Sequence, residues 1–375
     1  MAEAPRRPSF RGALIVILIA VPILGVLAAA GFWYGLDRPP QTDASGTTEF
    51  TVLRGEGISE VAERLEDEDL VSDGRYVLYR YKILSRLGWT PPLKAGRYVL
   101  DFGARPSEII RILTTPGEGR RVYADVTIPP GLTARRIAQT VEAAGLARGE
   151  DVRRAIREMA SEYPVLSTEE GLQGYLFPDT YRIEKPLDDS EVSSAETARI
   201  IVKQMADRFF DVLTEIDPTW TGLTRVQLHE KVTLASIVER EYRVDDEAPL
   251  IAAVFNNRLV EGMPLQSCAT VVYTIQETEI GAPFLDEYLR YERRIFERYL
   301  EIPSAYNTYV QPDLPPGPIC IPGRVALDAA FYPAASDALF FVVKDPAAGT
   351  HTFSRDYGDH LEARDQYLNQ FVVKD

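Results

Sequence analysis

Apolar residues in this chain repeat in three ways: first without a break, then at short strand and helix periods, and past residue 150 mostly at the period of a helix. Gly12 to Leu36 is a run of 25 residues without a charge. At ~1.5 Å per residue it predicts a helix long enough to cross a hydrocarbon layer of ~30 Å. Residues 37–48 (DRPPQTDASGTT) have no apolar period and predict a linker. Phe50 to Ser59 predicts a short strand and a Gly turn, leading into an amphipathic helix through Leu65. Leu93–Leu100 predicts a strand and Ser107–Leu113 a helix. An internal repeat runs at an offset of 76 residues: Val52, Gly55, Val61, Ala62, Leu65 and Leu70 match Ile128, Gly131, Ile137, Ala138, Val141 and Leu146. Two copies are too few for a solenoid and suggest a duplicated small α/β unit. Farther on, Gly171–Tyr181 interrupts the helical pattern, 183–198 reads as a polar surface loop, and Thr197–Thr214 as an amphipathic helix. Ala248–Leu259 and roughly 284–300 predict further helices, and 338–344 with 351–354 a hairpin. The fold class expected is α+β, with an N-terminal membrane helix, a small α/β module and a mixed domain with a mostly helical centre.

The stretch Leu223–Tyr242 (LTRVQLHEKVTLASIVEREY) starts with a capping box, Thr224 followed three residues on by Gln227. It then carries apolar residues on two sides, as a buried helix does. At ~100° per residue, Leu228, Val232 and Ala235 fall near Glu239. A carboxyl on so apolar a surface keeps its proton to higher pH, which suits a general acid. From this stretch alone, an ion pair between Glu239 and an Arg across a helix interface is the more ordinary reading. Glu241 points to another side of the helix and reads as a solvated or ion-paired surface residue.

Charge and chemistry narrow the classes. The net charge is −15 and no basic stripe exists to neutralise phosphates, which argues against nucleic acid. The two cysteines, Cys268 and Cys320, are too few for a thiolate metal site, and His229, His351 and His360 are scattered. No HExxH, Walker A or GxSxG motif appears, so no metal or other cofactor is expected. Arg6, Arg7 and Arg11 precede the uncharged run, and only Arg38, beside Asp37, follows it closely. The positive-inside rule places the N-terminus in the cytoplasm and the rest outside. The alternative is a cleaved signal peptide, with Ala28-Ala29-Ala30 mimicking a cleavage site, but the run exceeds an ordinary signal core. Four aromatics around the 171–181 stretch, Tyr163, Tyr175, Phe177 and Tyr181, could line a sugar cleft or belong to the core.

The strand–Gly turn–helix unit at 49–122 resembles a LysM module, which implies binding of N-acetylglucosamine-containing glycans. From residue 123 to 375, ASIVERE at 235–241, VFNNRL at 254–259, MPLQS and TVVY within 263–273, YNTY at 306–309 and LPPGPIC at 314–320 stand in the order found in one enzyme family. With GYLFPDTY at 174–181, the chain closely resembles the endolytic murein transglycosylases (the YceG-like family). The resemblance implies cleavage of the MurNAc–GlcNAc β-1,4 bond in nascent glycan strands, leaving a 1,6-anhydro end. It implies Glu239 as the catalytic residue. It also implies Gln266, Asn307, Asn257, Tyr273 and Tyr306 as substrate contacts. Peptidoglycan strands are the implied substrate, and peptidoglycan synthases (penicillin-binding proteins) at the outer face of the inner membrane are implied partners. The chain departs from the pattern at Cys268-Ala269, where Asp-Pro is common, at Gln173 and at Ile321. Both cysteines lie in these motifs, and a disulfide between them is expected in an oxidising compartment. Two other readings stand beside the enzyme: a non-catalytic wall-binding scaffold, and a water-using muramidase with Asp179 as second carboxyl.

Overall fold

The structure, a computed structural model, describes residues 10–35, 37–40, 46–115, 123–163, 171–186, 191–291 and 294–372. The architecture is α+β, and among the described residues three two-stranded antiparallel sheets stand among helices. Contacts divide the chain into two units, 1–122 and 123–375.

The first unit begins with helix α1 (Phe10–Gly35). Among the described residues no helix is long and apolar enough to cross a membrane. The span expected at 12–36 lies partly outside them, because the side chains up to residue 18 are not described. Strand β1 (Thr47–Val52) pairs with β2 (Gly96–Asp101), and helices α2 (Ile58–Asp67) and α3 (Gly74–Arg86) lie between them in sequence. Helix α4 (Pro106–Thr114) follows. Alternation decides which strand residues turn inward: Phe50 and Val52 from β1 and Tyr98 and Leu100 from β2 meet Leu65, Leu70, Val77 and Ile109 in one core. Of the segment expected as a linker, residues 41–45 lie outside the described residues; at its start Asp37 accepts from the N–H and hydroxyl of Ser107 at 2.8 Å each.

The second unit opens with β3 (Tyr123–Thr127), α5 (Ala134–Ala143), α6 (Gly149–Glu158) and β4 (Thr180–Glu184), with β4 pairing back on β3. The repeat is structural: Val52, Val61, Ala62, Leu65 and Leu70 are buried in the first unit as Ile128, Ile137, Ala138, Val141 and Leu146 are here. The turns at Gly55 and Gly131 both need positive φ, +81° and +77°. Then come α7 (Glu191–Ile216), α8 (Arg225–Glu241), α9 (Ala248–Val260) and α10 (Cys268–Glu277). After α11 (Ala282–Arg290) and α12 (Glu297–Leu300), α13 (Arg324–Phe331) packs on α8 and α9. Strands β5 (Phe340–Asp345) and β6 (Thr350–Ser354) form the expected hairpin, and α14 (Tyr357–Tyr367) packs on it.

Two expectations need correction. Helix α7 starts at 191, inside the stretch read as a surface loop. The single helix expected at 284–300 is two short ones. Phe284 and Tyr299 would lie about 22 Å apart on a straight helix, whereas their rings are 5.7 Å apart in a small core with Tyr288 and Val271. Burying both aromatics requires the chain to fold back.

Candidate active site

Helix α8 is built as its sequence reads. The Thr224 hydroxyl accepts from the Gln227 N–H at 3.2 Å, and Gln227 Oε1 accepts from the Thr224 N–H at 2.9 Å. Val232 to Val238 are all buried, while Val226 in the first turn is exposed. The aromatics Tyr175, Phe177 and Tyr181 are buried in the core next to this helix, so they do not line a cleft.

Glu239 stands half-buried in the last turn of α8. Among the described residues its hydrogen-bond partner is the Gly323 N–H, which donates to Oε2 at 2.9 Å, and no cation is paired with it. The ion-paired alternative for Glu239 therefore fails. Burial pushes its pKa from 4.5 up to about 7; the Gly323 bond and Arg240 pull against burial, and Asp245 adds to it. Gly323 caps α13, and a Cβ there would stand 3.3 Å from Glu239 Oε2 and 3.4 Å from Pro130 Cβ. The bare glycine lets a backbone N–H reach the carboxyl.

A short strand-like pairing fixes Gly323. Gly131 N–H donates to Ile321 O and Ile321 N–H to Leu132 O, both at 2.9 Å. The same segment is bonded to α8 itself: Ile319 N–H donates to Ser236 Oγ at 3.0 Å and Cys320 Sγ to Ser236 O at 3.2 Å. Ser236, one turn before Glu239, thus positions the residues that touch its carboxyl. Its place in ASIVERE marked it in the sequence, but its role did not show there.

Glu241 is not the solvated residue expected. Its carboxylate accepts from the Ser267 hydroxyl, and burial pushes its pKa up. This bond ties the end of α8 to the start of α10 and to the preceding residue, Gln266. Gln266 is exposed and has φ +51°, left-handed for a residue with a side chain. Thr308 holds it there, its carbonyl accepting from Gln266 N–H and its hydroxyl from Ser267 N–H, each at 3.0 Å. Buried Arg258 adds a third hold, donating to Leu265 O at 2.9 Å. A non-glycine residue kept at such a φ costs about 1–3 kcal/mol and persists only where its neighbours hold it.

The other expected contacts divide. Tyr273 lines a cavity of about 270 Å³ with Thr133, Arg240, Ala269 and Gln276. Its ring lies 4.7 Å from that of Tyr306, and its hydroxyl accepts from Gln173 Nε2 at 2.6 Å. Gln173 also donates to Pro318 O and accepts from Ala134 N–H, so this departure from the family pattern is a structural tie between three segments. Asn307 does not fit the role expected of it. It is fully buried, its amide donates to Leu300 O and Ile302 O at 2.9 Å each, and its oxygen accepts from Tyr309 N–H at 3.0 Å. Asn257 likewise spends both amide hydrogens on Ser336 O and Ala338 O at 2.9 Å. An amide whose hydrogens are spent on backbone carbonyls cannot offer them to a sugar. Asn307→Ala should cost about 2 kcal/mol by stranding those carbonyls. Chemical denaturation measures this; a variant as stable as wild type that no longer binds glycan would restore the contact role.

The disulfide expected between Cys268 and Cys320 is not formed, and both are free thiols. Each sulfur faces its own partner: Cys320 the Ser236 carbonyl, Cys268 the Tyr309 hydroxyl at 3.2 Å. Titration of denatured, unreduced protein should give two reactive thiols, and a count of zero would contradict this geometry. Asp179, the suggested second carboxyl, faces Arg208 of α7 at 3.4 Å on the surface.

A Bacillus subtilis protein named endolytic murein transglycosylase is 27% identical over 92% of this chain and 92% of its own length. A Streptococcus pneumoniae protein of the same name is 27% identical over 95% of this chain and 65% of its own, longer sequence. A crystal structure of a YceG-like protein from Listeria monocytogenes superposes with a TM-score of 0.52 at 26% identity, covering 85% of this chain and 99% of that one. The profile of the YceG-like family matches residues 50–366, and the chain belongs to that family.

Proposed function

We propose that this chain is a membrane-anchored endolytic peptidoglycan lytic transglycosylase in which Glu239 is both acid and base. The observation that carries the reading is the carboxyl of Glu239: half-buried, bonded by the Gly323 N–H, without an ion-pair partner among the described residues, and pushed by burial up to about 7. The shared name of the Bacillus and Streptococcus relatives supports the substrate. The protonated Glu239 gives its proton to the oxygen that bridges MurNAc C1 and GlcNAc C4, and the C1–O bond breaks. The 6-hydroxyl of the same MurNAc attacks C1, and the Glu239 carboxylate takes the hydroxyl proton. The acid is restored, no water is consumed, and a 1,6-anhydro end forms. A group that gives one proton and then takes another works best with a pKa near the working pH.

A hydrolase with two carboxyls flanking the bond gains no support, because Asp179 is ion-paired and Glu241 is committed to Ser267. Gln266 is the substrate contact best supported, exposed and held in its strained conformation. Tyr273, which lines the cavity with Arg240, and Tyr306, whose ring lies near it, are kept as further candidate contacts. The unit at 49–122 is read as a LysM-like glycan-binding module from its β-α-α-β order.

The anchor rests on the uncharged run of 25 residues, on the arginines before it, and on the helical course of α1 with Ile19, Leu24, Val26, Leu27 and Phe32 exposed. In this reading the second unit works at the outer face of the inner membrane, where the family resemblance implies peptidoglycan synthases as partners. The test is the mass of the products from purified glycan strands. Anhydro ends support the reading. Reducing ends would make the protein a hydrolase, and intact strands a binder.

A further inference from the structure

The sequence from residue 74 to 100 contains Arg75, Arg80, Lys82, Arg86, Lys94 and Arg97 and not one Asp or Glu, in a chain of net charge −15. Helix α3 lies in this stretch. One side of it, with Gly74 and Val77, is buried in the core of the first unit. The opposite side exposes Tyr79, Ile83 and Leu87, and Trp89 follows, 73% exposed, past the turn at Gly88. Spacing of four residues puts the first three on one stripe. On a wheel of ~100° per residue, Leu87, Tyr76, Ile83 and Tyr79 fill one arc, with Arg80 at one edge and Arg86 and then Lys82 at the other. Apolar and aromatic residues between cations are the composition of a helix that lies in a membrane interface.

The fold shows what that arc faces. Asp37, two residues past the end of α1, is 3.7 Å from Arg80 on α3. The Ser107 bonds hold the same carboxylate, and a cleft lined by Phe32, Gly35, Val71 and Tyr76 joins the end of α1 to the corner before α3. Tyr76 and Arg80, which meet the end of α1, lie within about 60° of Ile83 and Leu87 around α3. The exposed stripe therefore continues the side of α3 turned toward the point where α1 ends. If α1 crosses a bilayer, that point is the lipid surface.

We infer that the Tyr79–Ile83–Leu87–Trp89 face of the first unit docks onto the anionic lipid surface beside its own anchor, with Lys82 and Arg86 on the headgroups. The inference rests on the anchor reading proposed above. A docked first unit has a fixed height and orientation above the membrane, which a tether alone does not give.

The test uses the full chain in vesicles of phosphatidylglycerol and phosphatidylcholine, with bromine shallow in the acyl chains. Trp89 emission is the difference between wild type and Trp89→Phe. Trp33, within the anchor, is read from a Trp89→Phe/Trp220→Phe variant. Docking predicts that brominated lipid removes at least about half of the Trp89 emission, since interfacial Trp sits at that depth. Lys82→Glu/Arg86→Glu should shift the docking equilibrium by about fivefold or more for each charge and restore emission. Trp89 left bright while Trp33 is quenched would overturn docking and leave the anchor in place. Trp33 left bright would overturn the anchor itself. Shielding of Trp89 that depends on protein concentration and not on bromine would assign the face to a second copy of the chain, which also overturns the inference.

Discussion

Glu239→Gln should lower the rate of anhydro-end formation by about a thousandfold, the middle of the range for loss of a positioned acid–base group. The amide keeps the size and can still accept from the Gly323 N–H, so the segment 319–323 should stay in place. What it loses is the proton that the leaving oxygen needs and the base that the 6-hydroxyl needs. Wild type should also lose activity as the pH rises. The resting enzyme must hold the proton, its pKa is about 7, and above that value the protonated fraction falls about tenfold per pH unit. A variant with near wild-type rate, or a wild-type rate flat from pH 6 to 9, would show that another group carries the chemistry.

What the sequence discloses about this site follows the range of the interactions involved. The capping box and the eight buried residues of α8 are local, and the helical period alone places Glu239 on an apolar surface. The repeat was legible for the same reason, since equivalent core positions need equivalent apolar residues. The partner of Glu239 is 84 positions away in sequence, and a glycine before a short helix carries no mark of its task. Glu241 was misread because helix rotation predicts a direction and not what covers it; the loop at Ser267 closes over that side.

The amides show a different limit. Asn307, Asn257 and Gln266 have the same donors and acceptors, and the family motifs gave each the same expectation. What their hydrogens already hold separates them. Asn307 and Asn257 satisfy backbone carbonyls of neighbouring loops that would otherwise lose a partner. Gln266 carries strain that only neighbours in space, Thr308 and Arg258, can hold. The cysteines follow the same rule, because two residues in neighbouring motifs need not be neighbours in space.

Glu239→Gln should also make the second unit more stable at pH 8, by about 3 kcal/mol, and leave it nearly unchanged at pH 4. The folded chain holds the Glu239 proton to about pH 7, and the ordinary value is 4.5. Between those two values the unfolded chain has lost the proton and the folded chain has not. The unfolded state then binds fewer protons, so stability falls as pH rises, by ~1.4 kcal/mol per unit across the window. Above about pH 7 the loss is complete and the curve is flat. A glutamine has no proton to lose and carries no such penalty. Glu241, also raised by burial, slopes the same way in both proteins and cancels in the difference. Trp220 stands in the second unit, its indole N–H bonded to Thr214 at 3.0 Å, and its emission reports that unit's unfolding. Denaturation followed there at pH 4, 6 and 8 gives the difference directly. Parallel stability curves for the two proteins would mean that Glu239 ionises in the fold as it does in water. The desolvation that makes it an acid would then be absent. The predicted gain in stability is therefore the same free energy that keeps the carboxyl protonated for the reaction, and losing the activity should release it.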